Sequence, residues 1–180
     1  MSDKRYLQTE PTKRNIPLIV SYSYSGNTHQ IAQGLQRITG GDWFEIYPWQ
    51  PYPMAFPELL EQVKREIQSG YRPRLLPLSC SPRPYQVIFV GSPNWCGTIA
   101  PPLASWLYKH NLGGKVILPF YSHCGGVSGD LRGAIARLCP KADVREALGV
   151  IGDGGEELPD RLQEWFVKTG LTELRMSYAG

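Results

Sequence analysis

The sequence has no apolar run long enough to span a bilayer, and its polar first fifteen residues contain no hydrophobic segment of a signal peptide. We therefore expect a protein that is neither membrane-spanning nor exported. None of the four cysteines forms a Cys-x-x-Cys pair, and their spacing matches no common zinc pattern. The expectation is free thiols in a reducing cytoplasm, with no metal site.

A strong excess of charge is also missing. The net charge is +3, and residues 1–14 hold four basic and two acidic residues, so 15 basic and 14 acidic residues remain in the body of the chain. A nearly neutral body excludes the basic face that is typical of nucleic-acid-binding proteins. The chain has 180 residues, of which 42% are hydrophobic. This composition predicts a single folded domain over residues 15–180, preceded by a polar tail at residues 1–14.

Strand-like and helix-like segments alternate five times after the tail. The predicted strands are 16–20, 43–47, 87–91, 116–120 and 147–151, and the predicted helices are 28–39, 57–69, 101–110, 131–138 and 158–169. The alternation predicts an α/β fold with an open parallel sheet and helices on both faces, whose ligand lies beyond the carboxyl ends of the strands. The proline-rich stretch 48–84 is predicted to be a long surface connection around one helix. Pro119 is unfavourable in a central strand unless it lies near the strand end.

A turn rich in hydroxyl groups follows the first predicted strand. Ser23, Ser25 and Thr28 offer hydroxyl donors, Asn27 offers an amide, and Gly26 allows close backbone approach. The next helix directs its N-terminal amides at the same place, so the turn is suited to a phosphate. No Lys or Arg lies within it. The alternative is an ordinary turn that caps a helix.

Two more unusual loops follow the third and fourth predicted strands. The first, at 91–98, places Trp95 among Gly and Pro residues, where it is suited to stack on a planar ligand or, alternatively, folds back over the sheet edge. The second, at 121–126, has small residues that expose backbone amides, and His123 either donates to the ligand or faces solvent. A planar ring on a phosphorylated chain satisfies all three loops, and FMN is such a ligand.

These three loops make the chain resemble the flavodoxin-like family of FMN-binding proteins, over nearly the whole of 15–170. The motifs that carry the resemblance are Ser23-x-Ser25-Gly26-Asn27-Thr28, Gly91-x-Pro93-x-Trp95-x-Gly97 with Pro101-Pro102, and Pro119-Phe120-x-Ser122-His123-x-Gly125-Gly126. The extended middle segment, with Tyr71-Arg72-Pro73 and Tyr85, is similar to that of a bacterial flavodoxin-like subgroup.

The resemblance implies a three-layer sandwich with a five-stranded sheet of order 2-1-3-4-5 and FMN between the first and third strands. It implies that Trp95 stacks on the flavin ring and that Tyr121 or Tyr24 covers the other face. The cofactor-binding residues it implies are Ser23, Tyr24, Ser25, Gly26, Asn27, Thr28, Ser92, Pro93, Asn94, Trp95, Cys96, Gly97, Ser122, His123, Cys124 and Gly125.

Three functions stay open at this point. The first is a redox protein that passes electrons between FMN and a redox partner protein or a small acceptor such as a quinone. The second is an NAD(P)H-dependent quinone reductase, for which Arg72, Arg74 and Arg83 are candidate phosphate contacts, although the sequence has no second dinucleotide fingerprint. The third is a non-redox module that binds another phosphate compound. The neutral body departs from the acidic surface of typical flavodoxin shuttles.

Two cysteines also depart from the family pattern. Cys96 stands where the family often has a second aromatic residue, and Cys124 stands where it often has Gly. Because both follow predicted strand ends, a disulfide between them that is coupled to the flavin is one hypothesis.

Overall fold

A twisted sheet lies at the centre of the computed structural model, which describes residues 16–125 and 129–171. Its strands are β1 (Leu18–Ser21), β2 (Asp42–Glu45), β3 (Val87–Trp95), β4 (Thr98–Ile99), β5 (Val116–His123), β6 (Asp143–Val144) and β7 (Leu148–Ile151). The helices are α1 (Asn27–Thr39), α2 (Phe56–Ser69), α3 (Pro101–Lys109), α4 (Leu131–Leu138) and α5 (Leu158–Thr169), and a 3₁₀ turn occupies Gly155–Glu157. The predicted tail at 1–14 lies outside the described residues.

The strands follow the predicted order, which is therefore confirmed. Parallel pairing runs β2-β1-β3-β5, and both β6 and β7 then pair with the outer side of β5. These two short strands together fill the fifth position that the sequence predicted as one strand. Strand β4 is an addition that pairs antiparallel with the end of β3. The order reverses between β1 and β3, so the carboxyl ends of these strands form the switch point where ligands bind in such sheets.

The break between β6 and β7 coincides with Pro119. The odd-numbered residues of β5 direct their backbone groups outwards, because Arg145 N–H donates to Ile117 O and Gly152 N–H donates to His123 O. Pro119 shares this orientation and has no N–H to offer. Pro119 lies in the middle of β5, not near its end. It is tolerated there because no residue of β6 or β7 pairs with it.

Helices cover both faces of the sheet, as predicted. One face buries Leu18, Val20 and Ile88 against α2, α3 and α4. The other buries Ile19 and Phe89 against α1 and α5. The alternation of neighbouring residues between the two clusters is the period-2 pattern of a strand that is covered on both sides. None of the helices in the described part of the chain is long and apolar enough to cross a membrane.

Three segments differ from the prediction in ways that affect the site. Strand β3 continues to Trp95 and β5 continues to His123, so most of the second loop and the start of the third are strand. The stretch 48–84 does not only lie on the surface, because Tyr52, Leu59 and Val63 are buried in the core. Sequence alone treats Pro and Gly as strand breakers, whereas here the strands continue past them at the sheet end.

Candidate functional site

The turn between β1 and α1 is held by its own side chains. Gly26 has φ of 93°, a left-handed conformation that favours glycine, and its N–H donates to Ser23 Oγ at 3.1 Å. Helix α1 then begins at Asn27, so its first amides are directed at the turn. Ser23 therefore stabilises the turn, whereas Ser25 and Asn27 line a cleft beside it.

A buried hydrogen bond joins this turn to the end of β5. Thr28 Oγ1 and Ser122 Oγ lie 2.8 Å apart, and the two residues are 1% and 5% exposed. The sequence predicted the Thr28 hydroxyl as a phosphate ligand, but the structure uses it to hold two of the three motifs together. The carboxyl ends of β1 and β5 lie on either side of β3. The hydrogen bond therefore joins the segments that follow or end these two strands across the end of β3.

The second motif is a β-hairpin. Trp95 pairs with Thr98, and the two residues between them, Cys96 and Gly97, have φ of 53° and 81°. Positive φ at both central residues is the pattern of the tight turn that fits a twisted two-stranded hairpin. Asn94 Oδ1 accepts a hydrogen bond from Gly97 N–H at 3.0 Å and fixes the turn.

A further hydroxyl fixes the strand that leads into this hairpin. Ser92 Oγ accepts from Ala100 N–H at 2.8 Å and donates to Pro93 O at 2.8 Å. Ser92 therefore acts on the backbone and does not line the cleft. The hairpin presents Trp95 at the edge of the sheet.

Trp95 combines both interpretations that the sequence left open. Its ring packs edge-on against Tyr22, Tyr24 and Tyr52, with ring centroids 5.5, 5.7 and 5.0 Å away. The residue is nevertheless only half-buried, and it lines the cleft. Burial raises the pKa of both Tyr22 and Tyr52, so these two rings stay neutral. Trp95 thus packs against uncharged aromatic rings and keeps part of its surface exposed in the cleft.

His123 lies at the end of β5 and lines the same cleft. Its Nδ1 accepts a hydrogen bond from Gly125 N–H at 3.1 Å. In the neutral imidazole this leaves Nε2 as the nitrogen that carries the proton, so Nε2 is the available donor. Tyr121 does not line the cleft, because its ring lies against Gly149 on the neighbouring strand.

The three motifs meet in one cleft of about 390 Å³, a volume within the range of small-ligand sites. Ten of the sixteen predicted residues line it: Tyr24, Ser25, Asn27, Pro93, Asn94, Trp95, Cys96, Ser122, His123 and Cys124. The other six, Ser23, Gly26, Thr28, Ser92, Gly97 and Gly125, are not in its lining. All six are turn or hydrogen-bonding residues described above, so the structure brings the three predicted motifs to one cleft and gives these six residues contacts within the protein.

Helix α2 supplies the part of the cleft that the sequence did not predict. Phe56, Leu59, Leu60 and Val63 line it. Their spacing of three, four and seven residues puts them on one side of the helix. The sequence predicts a helix at 57–69 but gives no sign that its first turns reach the site.

Charge is the property that the cleft lacks. Among the described residues that line it, none is Lys, Arg, Asp or Glu. The arginines considered as dinucleotide contacts lie elsewhere: the guanidinium of Arg72 sits 3.8 Å from the Tyr108 ring centre, and that of Arg74 sits 4.4 Å from the Trp49 ring centre. Arg83 is exposed and does not line the cleft either.

All four cysteines are free thiols. Cys96 and Cys124 are exposed, and both line the cleft. Burial raises the pKa of Cys80 and of Cys139 to about 11. The structure therefore brings Cys96 and Cys124, the two cysteines that differ from the family pattern, to one cleft, with no disulfide between them.

A three-layer α/β fold with an uncharged cleft at its switch point is typical of a class of ligand-binding proteins. Comparison of the chain with known proteins identifies its family within this class. The flavodoxin family model matches residues 17–169, and the chain belongs to that family. No curated protein matches the chain.

Several solved structures share the fold. A putative flavoprotein from Bacteroides eggerthii superimposes with a TM-score of 0.75 at 22% identity, over 86% of this chain and 98% of the other. A putative flavoprotein from Bacteroides uniformis gives 0.73 at 19% identity, over 84% and 98%. A flavoprotein from Lactobacillus acidophilus, solved in complex with FMN, gives 0.66 at 18% identity, over 83% and 97%.

Proposed function

We propose that this protein binds FMN in the cleft and acts as a redox protein that takes up electrons and passes them on. The observation that carries the proposal is the meeting of three groups in one uncharged cleft: the polar turn at the N-terminus of α1, the half-exposed Trp95 and the apolar side of α2. The phosphate of FMN fits the polar turn, and its planar ring fits Trp95 and the apolar side of α2.

The residues divide into those that hold the phosphate and those that hold the ring. Ser25, Asn27 and the first amides of α1 bind the phosphate, and the positive end of the α1 dipole replaces the missing cation. Trp95 packs against the ring, and His123 Nε2 donates a hydrogen bond to it. When bound, FMN supplies the reversible uptake of electrons, and the protein supplies binding, orientation and exclusion of water.

A carrier that exchanges electrons with a partner protein is favoured over a reductase that uses NAD(P)H. A dinucleotide needs cations or helix N-termini for its phosphates, and Arg72 and Arg74 lie on aromatic rings outside the cleft. A quinone or similar small acceptor remains an alternative partner, because it needs no such contact. The nearly neutral body means that docking depends little on charge steering, so electron exchange varies little with salt.

The visible absorption spectrum of the purified protein tests the cofactor. A yellow protein, or a colourless one that takes up FMN in equal amount, supports the proposal. A colourless protein that fails to take up FMN but is stabilised by another phosphate compound overturns it in favour of the non-redox module.

A single substitution tests the phosphate assignment. Ser25→Ala removes a hydroxyl that faces the phosphate, and hydrogen bonds to charged groups contribute about 1.5–3 kcal/mol, so the Kd for FMN should rise about tenfold or more. The Kd for riboflavin, which lacks the phosphate, should not change. Ser79→Ala, at an exposed serine outside the cleft, is the matched control. Equal weakening of FMN and riboflavin by Ser25→Ala would contradict the assignment.

A further inference from the structure

The apolar side of α2 extends beyond the residues that are buried in the core. Leu59 and Val63 are 7% and 3% exposed and belong to the buried cluster on that face of the sheet. Phe56, one turn earlier, is 70% exposed, and Leu60 is partly exposed. These two side chains border the cleft, and the described residues, 16–125 and 129–171, leave them partly or mostly exposed. A large exposed apolar surface at a ligand cleft indicates that something else covers it.

This side of α2 is held in a fixed place relative to Trp95. Tyr24 Oη donates to Pro53 O at 2.6 Å, just before α2 begins, and Tyr52 Oη donates to Glu66 Oε2 at 2.6 Å, further along α2. Both tyrosine rings also pack edge-on against Trp95. The helix, the phosphate turn and the tryptophan therefore form one connected, preorganised unit.

We propose that the Phe56–Leu60 side of α2 forms the second apolar wall of the flavin-ring site, in the place that the sequence assigned to Tyr24 or Tyr121. This inference rests on the proposed binding of FMN. Of the two candidates from the sequence, Tyr121 is outside the cleft, with its ring against Gly149. Tyr24 lines the cleft, but its ring is edge-on to Trp95 and its hydroxyl is bonded to Pro53 O, so it lies beside Trp95. The apolar side chains of Phe56 and Leu60 favour the flavin ring over the phosphate, because an apolar planar group is stabilised by contact with them and a phosphate is not.

The test compares two ligands and two kinds of variant. Phe56→Ala, Leu60→Ala and the double variant shorten the wall, and the Kd for FMN and for riboflavin is measured by flavin fluorescence for each protein. Met54→Ala is the matched control, because Met54 is 91% exposed in the same segment and does not line the cleft. Phe56 is mostly exposed, so the variants should fold, which the melting temperature of the unliganded proteins checks.

The expected result is a loss of about tenfold or more in affinity for the double variant, since about 1.4 kcal/mol of lost contact corresponds to tenfold. The loss should be equal for FMN and riboflavin, because the wall contacts the ring that both ligands share. Met54→Ala should change either Kd less than twofold. Wild-type affinity for both ligands in the double variant, or a loss for FMN alone, would overturn the inference. Failure of the wild-type protein to bind either flavin would instead overturn the proposed function, so the two failures are distinguishable.

Discussion

The Thr28–Ser122 hydrogen bond allows a direct test of whether the Thr28 hydroxyl stabilises the fold or binds the phosphate. Thr28→Val keeps the shape of the side chain and removes its hydroxyl, which leaves the buried Ser122 Oγ without its partner at 2.8 Å. A buried polar group left in this way costs about 1–3 kcal/mol. At about 3 °C per kcal/mol for a domain of this size, we expect the Tm of the unliganded protein to fall by about 3–9 °C.

A double-mutant cycle makes this expectation specific. Ser122→Ala in the Thr28→Val background removes the stranded hydroxyl as well, so the second change should be nearly neutral or recover stability, with a coupling energy of about 1 kcal/mol. Differential scanning fluorimetry and urea titration give the free energies of unfolding, and fluorescence gives the Kd for FMN. A Thr28→Val protein with unchanged Tm and an FMN affinity as weak as that of Ser25→Ala would refute the reasoning, because the hydroxyl would then be a phosphate ligand.

Two further predictions concern packing and thiol chemistry. A Cβ added at Gly91 would overlap the Phe120 ring on the neighbouring strand. Gly91→Ala should therefore lower the urea-derived free energy of unfolding by about 3 kcal/mol or more, while Gly113→Ala in an exposed loop should change it little. The pKa of Cys80 and Cys139 is raised from 9.0 to about 11. Iodoacetamide at pH 8 should therefore modify the two exposed cleft thiols, Cys96 and Cys124, first. Mass spectrometry measures the labelling, and equal labelling of all four cysteines would contradict this expectation. The folded state holds these two thiol protons more tightly than the unfolded chain, so their contribution to stability should be complete below about pH 9 and be lost as the pH rises through 11.

The fold was predictable because each β-α unit carries its own local signal. Apolar runs such as 87–91 and helical stripes such as 28–39 need no tertiary information to be recognised. Helix ends were equally clear, since Gly40 and Gly70 adopt the left-handed conformation that ends a helix. Strand order was a different matter, because it came from the family resemblance and not from periodicity.

The site was only partly predictable because roles depend on distant neighbours. The hydroxyl of Thr28 faces Ser122, which is 94 positions away, so no local pattern distinguishes it from the Ser25 hydroxyl. Phe56 and Leu60 belong to an ordinary amphipathic helix, and only its packing beside Trp95 shows that they border the cleft. The hairpin was missed because Pro93 and Gly97 resemble a loop, and the two-residue strand β4 is too short to give a signal.

The proline in the middle of β5 affects how readily the sheet of one molecule can associate with that of another. An outermost strand normally presents a row of unpaired backbone groups on which another chain can add a strand and begin to aggregate. Here Pro119 lies opposite the break between β6 and β7, and the outer position is divided into β6, with two residues, and β7, with four. Neither piece is long enough to template a stable added strand, so the missing hydrogen bond at Pro119 protects this side of the sheet from edge-to-edge association.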